Sequence, residues 1–579
     1  MSANREERLG FLKIESRRDA KSLNKVYFTC HKDDYDKYYE RVCNDVFEHS
    51  DNNCIIYSKV NSADMVPEGE LDFLDDINLV VVPVTLELLT DKEKNYALDE
   101  IEYAKRKNIV ILPVMMEPGL DDLYASVFGK RQWVSPEFTG NDAVSYTDKL
   151  KKFFDSHFTS DETVGKIKDS FSSRIFLSYR KKDRKHAKPL MKEIHDREEL
   201  RDVAIWYDEY LPLAEDFEKS IEQEMEASRA VAFLVTDNLT EEGNYVKRIE
   251  YPRAKDKDKT IFPLLPIGED IPCDKEKVRA AFDKERPGFP DFAEIGDVVE
   301  KLERDDKEDT DEHKYLIGLA YLNGVDVEKD AKRAVKLLED SADHGYIPAN
   351  VKLHQMYWKG DSVEQDYDMA CKWGEKAYEL YCKSEEFGEN HKDTLGILND
   401  LGVIYSKNGE YSLAKEYLEK AYHGRKDKLG DTQLDTLNSL HNLGSIYSKT
   451  GEYLLAKEYL EKAYHGLKDK LSDTHPNTLD SLNNLGVLYM RTGEYPLAKE
   501  YLEKAYHGRK DKLSDIHPDT LETLKSLVNM FISWITVIIL ETGDFNMLKE
   551  LSKKRDFYQR ELDRLKKKQS DQNRKNKKR

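Results

Sequence analysis

GEYLLAKEYLEKAYHG, Gly451–Gly466, occurs with few changes at Gly409 and again at Gly493, a spacing of 42 residues. Its second half, Glu-Lys-Ala-Tyr-His-Gly, begins at Glu419, Glu461 and Glu503 with the same spacing. Asp393, Asp435, Asn477 and Asp519, each followed by Thr-Leu, carry the period into a fourth unit. Self-similarity at a fixed period of this length marks a stacked-repeat architecture. Within one unit, Leu437, Leu440, Leu443, Ile446 and Tyr447 form an apolar stripe at helical spacing. Gly451 ends it, and Ala456, Tyr459, Leu460 and Ala463 form a second stripe. Small residues such as Gly444 and Ala456 let the two helices approach closely. One helix pair cannot bury its own apolar face, so the units must stack.

These segments resemble the long, 42-residue tetratricopeptide repeats of kinesin light chains and bacterial sensor proteins, over about residues 390–550. In the last unit Gly543 lies 50 residues after Gly493, so eight extra residues lengthen its first helix. The apolar run SWITVIIL, Ser533–Leu540, falls there and reads as a capping helix. Upstream, Tyr321 and Tyr357, Gly324 and Gly360, Asp330 and Asp366, and Ala334 and Ala370 lie 36 apart. That frame resembles Sel-like repeats, relatives of the tetratricopeptides. The spacing predicts a continuous solenoid over 314–550, whose concave face holds a protein or peptide.

The N-terminal half alternates short apolar runs with amphipathic stretches, the signature of parallel α/β sheets. Predicted strands contain Val26–Phe28, Ile55–Tyr57, Leu79–Val84 and Ile109–Val114, then Ile175–Leu177, Val203–Trp206, Val231–Val235 and Ile261–Phe262. Two units of similar order suggest duplicated doubly wound domains.

In the second unit, RIFLSYRKKD (Arg174–Asp183) looks like the first box of TIR domains, and WYDEYLPLAEDF (Trp206–Phe217) like the second box and its loop. IEQEMEAS (Ile221–Ser228) matches the following helix, and NYVKRIEYPRA (Asn244–Ala254) the next. The Pro-Gly pair usual in the loop is replaced by Leu213-Ala214, with Pro212 one place early. In the first unit VYFTCHKDD (Val26–Asp34) and NYALDEIEYA (Asn95–Ala104) occupy the corresponding places, pairing Glu100 with Glu250. There IIYSKV puts Ser58 where the second unit has Asp208. The first unit therefore reads as a degenerate copy with a structural or regulatory role.

The resemblance implies a fold class of α/β plus all-α: two flavodoxin-like, TIR-like domains followed by an α-solenoid of tetratricopeptide type. The organisation expected is a helical extension over 1–22, a degenerate TIR-like domain over 23–158 and a TIR domain over 170–302. A charged linker over 303–313, Sel-like repeats over 314–388 and tetratricopeptides with a capping helix over 389–552 follow, then a frayed basic tail over 553–579.

Catalytic TIR domains cleave NAD at the nicotinamide–ribose bond with one glutamate, and the resemblance assigns that role to Glu250. A single carboxylate suffices because the leaving group already bears positive charge, whereas ordinary glycoside hydrolysis needs two. What needs stabilising is the oxocarbenium-like ribose, which a fixed carboxylate does electrostatically. By the same resemblance Tyr179, Arg180, Trp206 and Asp208 line the nucleotide cleft, at the C-terminal strand ends where parallel sheets bind ligands. Taken without the resemblance, Glu250 is a solvated charge near a helix start, Trp206 a core residue and Asp183 a helix cap. NAD enters as substrate; no resident cofactor and no metal is expected.

Composition limits the remaining classes. The 579 residues carry a net charge of −21, which argues against nucleic acid as a partner of the whole molecule. Nine Lys and Arg lie between Glu561 and Arg579. Hydrophobic residues at 39% are too many for a disordered chain, although mean hydropathy is −0.75. Six scattered cysteines without a CxxC pair indicate neither a disulfide framework nor zinc, and fit a reducing cytoplasm. The N-terminus lacks the apolar core of a signal peptide, and the longest apolar run, Leu527–Leu540, falls short of the ~20 residues of a membrane span. There is no GxxxxGK[ST], HExxH, GxGxxG or GxSxG.

Three readings follow. The first is an NAD-cleaving effector, hydrolase or cyclase, that self-associates through its TIR domains under control of the repeats, in signalling or antiviral defence. The second is a non-catalytic adaptor that assembles proteins. The third is a sensor in which a TIR-like domain binds an ADP-ribose product without turnover.

Overall fold

The computed structural model describes residues 12–578 except 17–23, 51–53, 60–70, 92–94, 108, 130–132, 137–145, 158–160, 208–216, 242–243, 269–272 and 514–515. The chain divides into two compact units, 1–341 and 342–579.

Unit one contains two sheets. The strands of the first are β1 (Leu12–Ser16), β2 (Asn24–Phe28), β3 (Cys54–Lys59), β4 (Leu79–Val84) and β5 (Val110–Met115), in the order β1-β3-β2-β4-β5. Strands β2 to β5 are parallel, whereas β1 pairs antiparallel with β3, Leu12 opposite Lys59. This corrects the expected helical extension over 1–22: residues 12–16 form an edge strand, held by backbone pairing with β3. The second sheet consists of β6 (Ser173–Ser178), β7 (Val203–Trp206), β8 (Ala230–Leu234) and β9 (Thr260–Leu264), all parallel, in the order β7-β6-β8-β9. Both sheets follow the flavodoxin-like order 2-1-3-4. Their central strands are apolar throughout: every residue of β4 (LVVVPV) and β8 (AVAFL) is buried, as parallel strands covered by helices on both faces require.

The segment after the second sheet is not a loose linker. The Glu303 carbonyl accepts the Ser173 hydroxyl at 2.7 Å, and the Asp305 amide donates to the Ser172 carbonyl at 2.7 Å. Helix Asp311–Asn323 then opens the first Sel-like repeat under a Thr310 cap.

Unit two is a run of antiparallel helix pairs: Lys392–Asn408 with Tyr411–Leu429, Leu434–Thr450 with Tyr453–Leu471, and Pro476–Arg491 with Tyr495–Leu513. The Gly-Glu-Tyr triplet forms the turn within each pair. Gly451 adopts φ 88°, which an L side chain resists, and the Glu452 amide returns to the Tyr447 carbonyl at 2.9 Å. The Glu of Glu-Lys-Ala-Tyr-His-Gly accepts a tyrosine hydroxyl from the following pair: Tyr447 to Glu419 at 2.6 Å and Tyr489 to Glu461 at 2.7 Å. The period is thus a hydrogen-bonded ladder as well as an apolar one.

Helix Pro518–Glu541 is long and apolar enough to cross a membrane by length and composition, yet Leu524, Leu527, Met530 and Phe531 pack into the solenoid core. Its other face leaves Ile532, Ile539 and Leu540 exposed. The expected frayed tail over 553–579 is instead part of one helix, Phe545–Lys578. Leu551, Tyr558, Leu562 and Leu565 lie at helical spacing and bury against the solenoid, so the helix has an apolar reason to persist.

Candidate functional site

The site forms where β6 ends beside the helix that carries Glu250. Its surroundings explain that helix's start. Pro252 has no amide to donate, and the Tyr251 amide reaches back five residues to the Val246 carbonyl. Val246–Glu250 is therefore a single π turn, after which Tyr251–Asp256 continues as α-helix. Glu250 sits at the last position of that turn and is buried, with 6% exposure. It is not the solvated surface charge its place near a helix start would suggest. A buried carboxylate needs hydrogen bonds to its oxygens, and the Ser178 hydroxyl supplies one to Oε2 at 2.5 Å.

Asp183 lies nearby but does not cap the helix that follows it, Arg184–His195. Its carboxylate instead accepts Thr236 Oγ1 and Asn238 Nδ2, both at 2.6 Å, tying the end of β6 to the turn after β8. Asn244 closes the same turn by donating to the Leu239 carbonyl at 2.8 Å.

The other sequence candidates divide. Tyr179 is buried among Leu177, Leu190 and Ile205 and tilts against Tyr207, ring centroids 6.2 Å apart. Arg180 pairs with Glu241 at 2.6 Å, and Lys182 and Arg180 together hold the Glu241 carboxyl below its ordinary range. Trp206 is core: it is buried and stacks on Phe176 at 4.9 Å, so it does not line an open cleft. Its indole is the largest side chain of β7 and fills the space under helix Phe217–Ala227, against Ile221 and Met225. Asp208, Pro212, Leu213 and Ala214 lie outside the described residues.

The first sheet repeats three of these contacts. Thr29 Oγ1 donates to Glu100 Oε2 at 2.5 Å, as Ser178 does to Glu250. Thr85 Oγ1 donates to Asp34 Oδ2 at 2.5 Å, as Thr236 does to Asp183. Asn95 reaches the Leu88 carbonyl at 2.9 Å, as Asn244 reaches Leu239. Beside Glu100, Lys59 Nζ lies 3.0 Å from Oε1, both side chains at 5% exposure or less. Strand register also corrects one correspondence. Tyr27 faces Tyr57 and Phe176 faces Trp206, so the position of Asp208 in the second copy is held by Lys59 in the first, not by Ser58. Ser58 corresponds to Tyr207, one residue earlier. Apolar letters alone lay Ile55-Ile56-Tyr57 on Ile205-Trp206-Tyr207, one residue out of the register that strand pairing sets.

Sequence reading missed Ser178, Thr236, Asn238 and Lys59 as members of the site. The signal was present: superposing Val26–Asp34 on Ile175–Asp183 places Thr29 on Ser178 and Asp34 on Asp183. Among the described residues, no group of three or more His, Cys, Asp or Glu is placed to hold a metal.

Residues 175–292 match the description of the TIR domain family. This part of the chain is a TIR domain. Residues 314–346 match the Sel1 repeat, and 362–427, 393–469 and 435–511 match the tetratricopeptide repeat. A putative kinesin light chain with nearly identical repeats from Podosopora anserina is 22% identical, covering 38% of this chain and 96% of that one, with a TM-score of 0.30. A Sel1 repeat protein from Oxalobacter formigenes is 17% identical, covering 39% and 81%, with a TM-score of 0.25. No curated protein matches the chain. A TIR domain joined to tetratricopeptide and Sel1 repeats is the build of a signalling or adaptor protein, in which both kinds of module mediate protein–protein contact.

Proposed function

We propose that the TIR domain cleaves NAD at the nicotinamide–ribose bond, with Glu250 as the catalytic carboxylate, and that the repeats gate this activity by binding a protein or peptide. The observation that supports this most is the burial of Glu250 at the C-terminal end of β6, with one oxygen anchored by Ser178. A carboxylate held in a desolvated place is worth more to a developing positive charge than one in water. No second carboxylate is required, since nicotinamide leaves as a neutral base. Self-association of TIR domains would complete the site, and a cytoplasmic location would supply NAD.

The test is to incubate concentrated protein, forcibly oligomerised, with NAD and to follow nicotinamide release. Wild type is expected to turn over and Glu250→Ala to lose at least about a thousandfold, the scale of one essential charge-stabilising group. NAD left intact by both removes the reading.

The second reading, a non-catalytic adaptor, is favoured by the core position of Trp206 and the Arg180–Glu241 pair, which leave the cleft side chains engaged with protein. TIR-mediated association without turnover would support it.

A further inference from the structure

Near the end of four successive first helices of the repeats, a tyrosine is followed two residues later by a cation. Tyr357 precedes Lys359, Tyr405 precedes Lys407, Tyr447 precedes Lys449 and Tyr489 precedes Arg491. The helices are Ile347–Lys359, Lys392–Asn408, Leu434–Thr450 and Pro476–Arg491, and all four cationic side chains are exposed. Equivalent positions of stacked repeats line up along a solenoid, and contacts between first helices join these into a column. Lys449 Nζ donates to Ser406 Oγ at 2.8 Å, and Arg491 Nη1 donates to the Ser448 carbonyl at 2.7 Å. Each acceptor is the residue just before the preceding cation.

Other lysines of the same repeats are neutralised. Lys415 pairs with Glu452 at 2.8 Å, and Lys420, Lys462 and Lys504 each pair with the glutamate four residues earlier, at 2.7 to 2.8 Å. None of the four column cations forms an ion pair with a carboxylate among the described residues. Two lie over tyrosine rings instead, Lys407 on Tyr367 at 6.0 Å and Lys449 on Tyr411 at 5.8 Å. Such contacts steady a cation and leave its charge in place. The Lys449 ammonium, partly shielded by surrounding protein although the side chain is exposed, lies below the ordinary lysine range; Arg491 and Lys407 lower it further, and Glu522 opposes them. A chain with 113 acids against 92 bases has carboxylates enough to pair such positions. A row of mutually repelling cations left unpaired is a strain that an anionic ligand relieves.

We propose that this column docks an extended acidic peptide segment of a partner protein, its carboxylates pairing with Lys359, Lys407, Lys449 and Arg491. Acids along the row favour a peptide over the continuous phosphates of a nucleic acid. Lys359 acts on the charge of Asp400, and Glu522 on that of Lys449, so a uniform polyanion meets repulsion there. The net charge of −21 adds to it. The proposal rests on the reading above only in that the repeats are the part that binds a protein; it borrows nothing from NAD chemistry.

The experiment uses the full chain. A phage-displayed library of random dodecapeptides, panned at physiological salt, is expected to enrich sequences carrying several Asp or Glu. A neutral or basic consensus, or no enrichment, overturns the proposal. The strongest acidic peptide is then labelled and titrated by fluorescence anisotropy. Lys407→Glu with Lys449→Glu and Arg491→Glu is expected to weaken binding at least about tenfold. That variant is also expected to bind better than wild type a peptide whose acids are replaced by lysine, which a merely misfolded protein would not do. Lys420→Glu with Lys462→Glu and Lys504→Glu makes the same change of net charge on paired lysines, and is expected to move Kd by less than about threefold. Equal losses in the two folded variants reveal attraction to overall charge only and overturn the site. An oligothymidylate of equal charge that displaces the peptide at equal concentration overturns the peptide class. NAD plays no part in these readouts: acidic-peptide binding without NAD turnover leaves the column standing and removes the catalysis, and turnover without acidic-peptide binding does the reverse.

Discussion

The amide of Ile205 donates to the carbonyl of Asp326 at 2.8 Å, closing the outer edge of β7 with a loop of the first Sel-like repeat. An uncovered edge strand invites pairing with another chain, and this bond removes part of that invitation. The seam is wider than one bond. Asp326 Oδ2 pairs with Arg174 at 2.8 Å, Tyr321 donates to the Arg201 carbonyl at 2.7 Å, and Arg333 pairs with Asp196 at 2.6 Å.

Asp326 holds φ 55°, a conformation Asp and Asn tolerate and most residues resist. Asp326→Ala should therefore lose both the Arg174 pair and backbone ease, about 1–3 kcal/mol together. Asp326→Asn should lose less. Thermal melts rank the two, and faster hydrogen exchange at Ile205 in the alanine variant would locate the effect at the strand edge.

Lys59 and Glu100 form a buried pair, so removing one partner leaves a charge without compensation. Lys59→Met should cost about 3–5 kcal/mol, while Lys59→Met with Glu100→Gln should recover most of it. Chemical denaturation of the three proteins gives the coupling energy. A double variant no more stable than Lys59→Met would refute the pairing.

His195 is buried, its Nε2 at 2.9 Å from the Val203 carbonyl. Burial pushes its imidazole down to about 4, from an ordinary 6.5. Between those values the unfolded chain takes up a proton that the folded one refuses. Stability is complete above pH ~6.5 and falls as pH drops toward 4, by roughly 3 kcal/mol from this group. His195→Gln should flatten that part of the stability profile measured by urea unfolding across pH.

Gly486 lies against Leu502, and a Cβ there would come within 2.5 Å of Leu502 Cγ. Gly486→Ala should therefore destabilise by about 1–3 kcal/mol, even though alanine is the better helix former by about 1 kcal/mol. Combining it with Leu502→Ala should cost less than the sum of the singles, since the clash is removed with the leucine. Strict additivity in a double-mutant cycle would contradict the contact.

The solenoid was legible because its reasons are local and repeated. Gly-Glu-Tyr makes the same turn three times, and Leu437, Leu440 and Leu443 bury because their spacing leaves them on one face. The α/β order was legible from runs such as Leu79–Val84 and Ala230–Leu234. The strand at Leu12–Ser16 was not, since an edge strand of five mixed residues has no signal apart from the β3 backbone it pairs with. Nor was the helix through Lys578, whose charges read as a tail until Leu562 and Leu565 are seen to have a surface to cover.

For the site, the chain's letters determined that a glutamate stands in Tyr245–Ala254 and another in Tyr96–Ala104, because both segments carry the same pattern. Only the tertiary structure decided that both are buried, that Ser178 and Thr29 hold them, and that Lys59 rather than Ser58 holds the position of Asp208. Burial and register are properties of what packs and pairs across tens of residues, and Ser178 and Glu250 are 72 apart. A linear pattern carries spacing along one element; it does not carry which strand end meets which helix.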